Sequence, residues 1–193
     1  MKMQTRFFLL FTIVFLASSC TSILVQTSGD QGIEEDPTER TAGAIVEDQS
    51  IETKIAVNLR SLEPEFRQAN VQVVSYNGVV LLIGQVNSEN LKSRATQIAS
   101  EASAKVKRIH NELEVAGQTS LLSRSNDTWI ATKVRTLMLT DSEVPSGQVR
   151  VIAENGAIYL MGLISQSEGD NAANLARNVS GVTKVVKVFE YLN

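Results

Sequence analysis

Apolar residues follow two periods along this chain, and the same order of periods is written twice. The run Val71-Gln72-Val73-Val74-Ser75-Tyr76-Asn77-Gly78-Val79-Val80-Leu81-Leu82-Ile83-Gly84 returns as Val149-Arg150-Val151-Ile152-Ala153-Glu154-Asn155-Gly156-Ala157-Ile158-Tyr159-Leu160-Met161-Gly162. In each copy Asn-Gly joins two β-rich runs, the strongest local signal for a hairpin, because both turn positions need positive φ. A helical period precedes each hairpin: Ile51, Ile55 and Leu59 in the first copy; Ile130, Val134, Leu137 and Met138 in the second. Asp48 and Asp127 stand as candidate N-caps, and Pro64 and Pro145 lie in the loops that follow the helices. Second helices are predicted near 88–102 and 166–179, and third strands from Val106 to Val115 and from Val182 to Tyr191. The fold class is therefore α+β. It consists of two tandem α-β-β-α-β domains, 47–116 and 125–193, each a three-stranded sheet with two helices on one face, joined through a short linker at 117–124.

Parity across a two-residue hairpin sorts the strand residues into faces. Val71, Val73, Val80, Leu82 and Val86 share one face, assigned to the helices, and Gly84 on that face would let a helix approach closely. Val74, Tyr76, Val79, Leu81 and Ile83 share the other, matched in the second copy by Ile152, Ala157, Tyr159, Met161 and Leu163. A sheet face meeting water is normally polar. These second faces are apolar, so the expectation is that the domains dock sheet to sheet with helices outermost; the alternative is that one face stays open to a partner.

Ahead of the repeats, Lys2 and Arg6 precede an apolar run from Phe7 to Leu16. That run is too short for the roughly 20 residues that span a bilayer and has the pattern of an export signal. Ala17-Ser18-Ser19-Cys20 resembles a bacterial lipobox, with Leu16 four places before the Cys instead of the usual three. The resemblance implies cleavage of residues 1–19 and lipidation of Cys20; the alternative is a non-lipidated signal or a membrane anchor with an incidental Cys. A bacterial lipoprotein cysteine carries three acyl chains, and two or more hold firmly. Thr21 in place of the Asp typical of inner-membrane retention favours the periplasmic leaflet of the outer membrane. Residues 20–46 continue as a Ser-, Thr-, Gly- and acid-rich stretch that reads as a flexible tether.

Composition mostly excludes. The 193-residue chain has a net charge of -3, about -5 once residues 1–19 are removed, and so lacks the basic excess of a nucleic-acid binder. One Cys and one His leave no internal disulfide and no usual soft-metal cluster, and no cofactor motif is present. In Arg108-Ile109-His110-Asn111-Glu112-Leu113-Glu114-Val115, parity turns Ile109, Leu113 and Val115 inward and His110 outward with Glu112 and Glu114. His110 thus reads as a solvated strand residue rather than a catalytic base, and the catalytic set is empty.

The chemistry that remains lies on the first helix of the second copy. Aligning Ile51 with Ile130 sets Trp129 opposite Ser50, so the indole does not occupy a shared core position. It lies about 130° from the centre of the apolar stripe, beside Lys133 and Thr136. Arg124, Lys133 and Arg135 outnumber Asp127 along residues 121–139. An indole among cations suits a bilayer interface, where each basic residue near an anionic surface adds ~1 kcal/mol. The same residues are equally compatible with an indole packed on the other domain or a loop, among ordinary solvated charges.

The paired Asn-Gly hairpins with Gly84 and Gly162, and the ending Gly181-Val182-Thr183-Lys184-Val185, resemble the BON domain. Together with the lipobox and Ser125-Asn126-Asp127-Thr128-Trp129-Ile130, they resemble the dual-BON outer-membrane lipoproteins of Gram-negative bacteria. The first copy has Ala104-Lys105-Val106 where that family has Gly-Val. The resemblance implies a periplasm-facing protein without enzymatic activity. Such a protein binds anionic phospholipid through its second domain, here through Trp129, Lys133, Arg135, Arg124 and Thr136, and supports outer-membrane integrity. A periplasmic adaptor that contacts the outer-membrane protein assembly machinery or a cell-wall factor is the competing reading.

Overall fold

The computed structural model describes residues 40–117 and 121–192. The signal segment, Cys20 and the tether up to residue 39 lie outside the described residues.

Each copy runs helix, hairpin, helix, strand. The first comprises α1 (Ala42–Leu62), β1 (Asn70–Tyr76), β2 (Val79–Val86), α2 (Glu89–Glu101), β3 (Arg108–Asn111) and a two-residue continuation β4 (Glu114–Val115). The second comprises α3 (Leu121–Thr140), β5 (Val149–Glu154), β6 (Ala157–Ile164), α4 (Gln166–Arg177) and β7 (Lys184–Tyr191). The central strand of each sheet pairs antiparallel with its hairpin partner and parallel with the third strand. The parallel closure follows from topology, since α2 and α4 carry the chain back across the sheet before the last strand enters. Local chemistry starts these helices where they start. Thr41 caps α1, Ser88 caps α2 through the Leu91 N–H, and Ser165 with Glu168 forms a capping box on α4.

Both first helices begin earlier than their periodicity indicates. α1 starts six residues before Asp48, taking in residues expected in the tether, and α3 starts within the expected linker. Asp48 and Asp127 are therefore mid-helix residues, not N-caps. Asp48 is buried and accepts bonds from the backbone N–H of Asn77 (2.8 Å) and Gly78 (2.9 Å), and from Ser75 Oγ (2.7 Å). Asp127 accepts from the N–H groups of Asn155 and Gly156, each at 2.8 Å. Asn77, Gly78, Asn155 and Gly156 all have positive φ, and this conformation aims two successive N–H groups at one carboxylate. The same helix-to-turn clamp thus occurs in both copies, tying α1 to its hairpin and α3 to its own.

The helix-side cores contain the expected residues: Ile51, Ile55 and Leu59 with Val80, Leu82 and Val86; and Ile130, Val134 and Met138 with Ile158 and Leu160. Leu137 is the exception, 43% exposed instead of within the stripe. Val115, at the end of β4, is also exposed. Gly84 serves a different contact from the one expected. A Cβ at this position, where φ is +115°, would lie 1.9 Å from the Asn70 carbonyl oxygen, so β1 rather than a helix demands the glycine.

The two sheets pack back to back. Val74, Tyr76, Val79, Leu81 and Ile83 form one apolar cluster with Ile152, Ala157, Tyr159, Met161 and Val188, with Leu163 packed at its edge. Polar bonds frame this core. Arg150 donates to Glu52 Oε1 (3.1 Å) and the Ser75 carbonyl (3.2 Å), while Arg108 donates to the Phe189 carbonyl (2.8 Å). Asn70 and Gln85 both donate to Glu154, the Tyr76 hydroxyl donates to the Gln148 carbonyl, and Lys184 pairs with Glu112. Burying each large apolar side chain contributes about 2 kcal/mol, so the cluster stabilises the pair well beyond what its rim of ion pairs adds.

Two expectations follow. Asp48→Ala leaves two buried turn N–H groups without their acceptor and destabilises the fold by about 3 kcal/mol in chemical denaturation. Burial alone would raise the Asp48 pKa, but the Gly78 N–H, Ser75 hydroxyl, Asn77 N–H and Arg40 guanidinium together hold it below the ordinary 3.8. Its contribution is therefore complete above that ordinary value and lost as pH falls through the lower folded value, so the parent loses stability on acidification there and Asp48→Ala does not. Leu81→Asp places a charge within the inter-sheet cluster and separates the domains without melting them. Small-angle scattering reads this as an increased radius of gyration with helical circular dichroism retained.

Candidate functional site: the outer face of α3 and the cleft beneath it

The first helices of the two copies carry the same core and the same clamp, so a difference in their outer surfaces is where binding chemistry can differ. On α3 that surface holds Trp129, 53% exposed, with Lys133 Nζ 3.5 Å from the centre of its ring. The spacing of four residues stacks them one turn apart, and the ring's negative face attracts the ammonium. Thr136 lies in the same stripe, within about 60° of Trp129 around the helix. Its hydroxyl donates back to the Thr132 carbonyl, which leaves its methyl on the surface. Leu137 and Leu139 are exposed on either flank, giving the face two further apolar side chains.

Arg124 and Arg135 do not join this stripe. They lie roughly 120–140° around the helix from Trp129, on the side that faces the other domain. There they line a cleft of about 670 Å³ with Arg40, Tyr76, Thr128 and Arg150. Arg135 donates to the Val151 carbonyl. The five residues expected to act as one lipid site are thus divided by the structure into an outward face and an inter-domain cleft.

Sequence reasoning missed Arg40, Tyr76 and Arg150. A signal existed for Arg150: it pairs with Met161 and shares parity with Ile152, so it is a cation at the end of a face that is otherwise apolar apart from Glu154. Nothing comparable marked Arg40, which precedes α1, pairs with Asp48 at 3.0 Å and lies 3.8 Å over the Tyr76 ring.

His110 also departs from its expected setting. It pairs in register with Leu81, so it faces the docked second domain and not solvent. It is half-buried, and its Nε2 has no hydrogen-bond partner. Burial, then the nearby Arg108 charge, hold its pKa below the ordinary 6.5, against the opposing effect of Glu112. Tyr159, in the same interface, has its phenol pushed above the ordinary range by burial and by the carboxylates of Glu112, Glu114 and Glu154.

A docked tandem of α-β-β-α-β modules, with its distinguishing side chains on one outward helix and one cleft, defines a class of paired α+β domains. Comparison with known proteins narrows this class. The family model described as "BON domain" matches residues 47–117 and 126–193. The chain is 36% identical over 180 residues to an outer membrane lipoprotein, DolP, of Haemophilus influenzae, covering 93% of this chain and 92% of that one. It is 39% identical to a 21 kDa hemolysin of Actinobacillus pleuropneumoniae, over 85% of this chain and 83% of the relative. It is 26% identical to osmotically-inducible protein Y of Escherichia coli, over 82% and 80%. The chain belongs to the BON-domain family, among its outer-membrane lipoproteins.

The placement of His110 gives a pH expectation. A histidine whose folded pKa is depressed favours the folded state most above its unfolded pKa, and that advantage declines as pH falls below about 6.5 toward the folded value. The melting temperature of the parent therefore drops from pH 7.5 to pH 5.5 by more than that of His110→Leu. Equal drops in the two proteins contradict a role for this imidazole.

Proposed function

We propose that the protein binds anionic phospholipid at a membrane surface through the outer face of α3, by non-covalent recognition and without catalysis, and so supports the integrity of the outer membrane. The observation that carries this reading is the exposed Trp129 with Lys133 stacked on it. An indole is favoured at headgroup depth, where its apolar body and polar N–H are both accommodated. Lys133 can exchange the ring for a lipid phosphate at little cost, since both partners are accessible in the free protein. Leu137 and Leu139 extend the apolar contact, and Thr136 adds a small, nearly neutral surface between them.

Anchoring makes a modest site sufficient. Acyl chains on Cys20 keep the protein at the bilayer, so headgroup binding becomes an intramolecular event at high effective concentration. On the periplasmic face of the outer membrane this arrangement sorts the protein toward anionic regions instead of merely retaining it. Arg124 and Arg135 contribute to the positive potential near α3, though their side chains lie on the cleft side.

Co-sedimentation of a chain lacking residues 1–20 with vesicles tests the reading free of the anchor. Binding is expected to vesicles containing phosphatidylglycerol and not to purely zwitterionic ones. Trp129→Glu is expected to reduce it roughly tenfold with circular dichroism unchanged. Lys133→Glu weakens binding most at low ionic strength, where screening is least. Parent-like binding by Trp129→Glu, or capture by envelope protein with indifference to vesicles, favours a protein adaptor instead.

A further inference from the structure

Four of the protein's arginines, Arg40, Arg124, Arg135 and Arg150, converge on the cleft between the domains, in a chain whose net charge is negative. No single element assembles them. Arg124 and Arg135 come from α3 and Arg150 from β5 of the second domain, and domain docking adds Arg40 from before α1. Tyr76 and Thr128 add hydroxyl groups to the wall.

The two acids that line the cleft, Asp127 and Glu154, offset part of this charge, but they bond to neutral donors and not to the arginines. Asp127 is held by the turn N–H groups of Asn155 and Gly156. Glu154 accepts from Asn70 Nδ2 (3.2 Å) and Gln85 Nε2 (2.7 Å), both neutral amides. The arginines, in contrast, are only partly engaged. Arg40 reaches Asp48 through Nη1, Arg150 reaches Glu52 and the Ser75 carbonyl through Nη1, and Arg135 reaches the Val151 carbonyl through Nη2. Arg124 is exposed and carries no ion pair among the described residues. A guanidinium has five N–H donors, so each of the four retains several. Their bonds to fixed protein groups also hold Arg40, Arg135 and Arg150 in place before any ligand arrives, which reduces the ordering cost of binding.

We propose that this inter-domain cleft is a binding site for a phosphate group, distinct from the Trp129 face. Guanidinium forks match the spacing of phosphate oxygens in a way that a lysine point charge does not, and all four cations here are arginines. The volume, about 670 Å³, accommodates a phosphate ester with its attached polar group. Two sources share this chemistry, a phospholipid headgroup and a free soluble phosphate. The site goes beyond the membrane contact of α3 and does not depend on it.

The test uses the full chain with its lipid anchor, held in neutral maltoside micelles and titrated calorimetrically. Inorganic phosphate is one probe and dihexanoyl-phosphatidylglycerol the other. Saturable binding is expected, weakened roughly tenfold by Arg124→Gln and again by Arg40→Gln. Lys54→Gln makes the same charge change on the exposed face of α1, outside the cleft, and is expected to bind as the parent does. Tighter binding of the lipid probe identifies a headgroup as the source, and equal or tighter binding of inorganic phosphate identifies a soluble anion. Arg124→Gln breaks no internal ion pair, so its loss of affinity is not a loss of fold. If neither probe binds the parent, or if both arginine variants bind like Lys54→Gln, the cleft is not a phosphate site. That failure leaves the vesicle result for Trp129→Glu standing on its own.

Discussion

Each three-stranded sheet in this protein is apolar on both sides, and its own two helices can cover only one. The rest of the architecture follows from how the uncovered backs are satisfied. Val74, Leu81 and Ile83 meet Ile152, Tyr159 and Met161, and the two domains become one unit with helices on both outer surfaces. Hydrophobic burial is non-directional, so it does not choose the registration of the two sheets. The polar rim does: Arg150 on Glu52 and Ser75, Arg108 on Phe189, and Asn70 with Gln85 on Glu154 each require a particular offset. That offset sets the edge strands β1 and β5 beside each other and opens the cleft along them.

Within each domain the equivalent constraint is the carboxylate that reaches from the first helix to the Asn-Gly turn. Asp48 and Asp127 perform the same task, but their surroundings have diverged. Asp48 also holds Ser75 and Arg40, which draws a cation from the segment before α1 to the mouth of the cleft. Asp127 holds the N–H groups of its own turn, and the helix around it presents Trp129 outward. Duplication has therefore kept the internal clamp while the external surfaces became different. One copy supplies anchorage for the other, and the second bears the exposed indole.

This division makes α3 a helix with three environments. Ile130, Val134 and Met138 face the core; Arg124, Thr128 and Arg135 face the cleft; Trp129, Lys133 and Thr136 face outward. A membrane lying against the outer face would be close to the cleft as well, since both belong to one helix about 10 Å across. The orientation of α3 relative to the membrane then decides which of its surfaces meets the bilayer.

Much of this was readable from the linear chain because it depends on short-range geometry. Asn77-Gly78 and Asn155-Gly156 specify their turns through positive φ, and strand parity then assigns every β1, β2, β5 and β6 residue to a face without further information. The apolar character of the backs even required the docking. Other features resisted reading because they depend on groups distant in sequence. Asp48 looks like a cap until the turn N–H groups about thirty residues later are brought to it. His110 looks solvated until a second domain covers its face, and Leu137 looks buried until the packing of α3 on its sheet leaves it at the edge of the stripe. The cleft is the extreme case. Its arginines come from α3 and β5 of the second domain and from before α1 of the first, and no local pattern relates them, because the packing of α3 on its sheet gathers three and the burial of two apolar surfaces against each other adds the fourth.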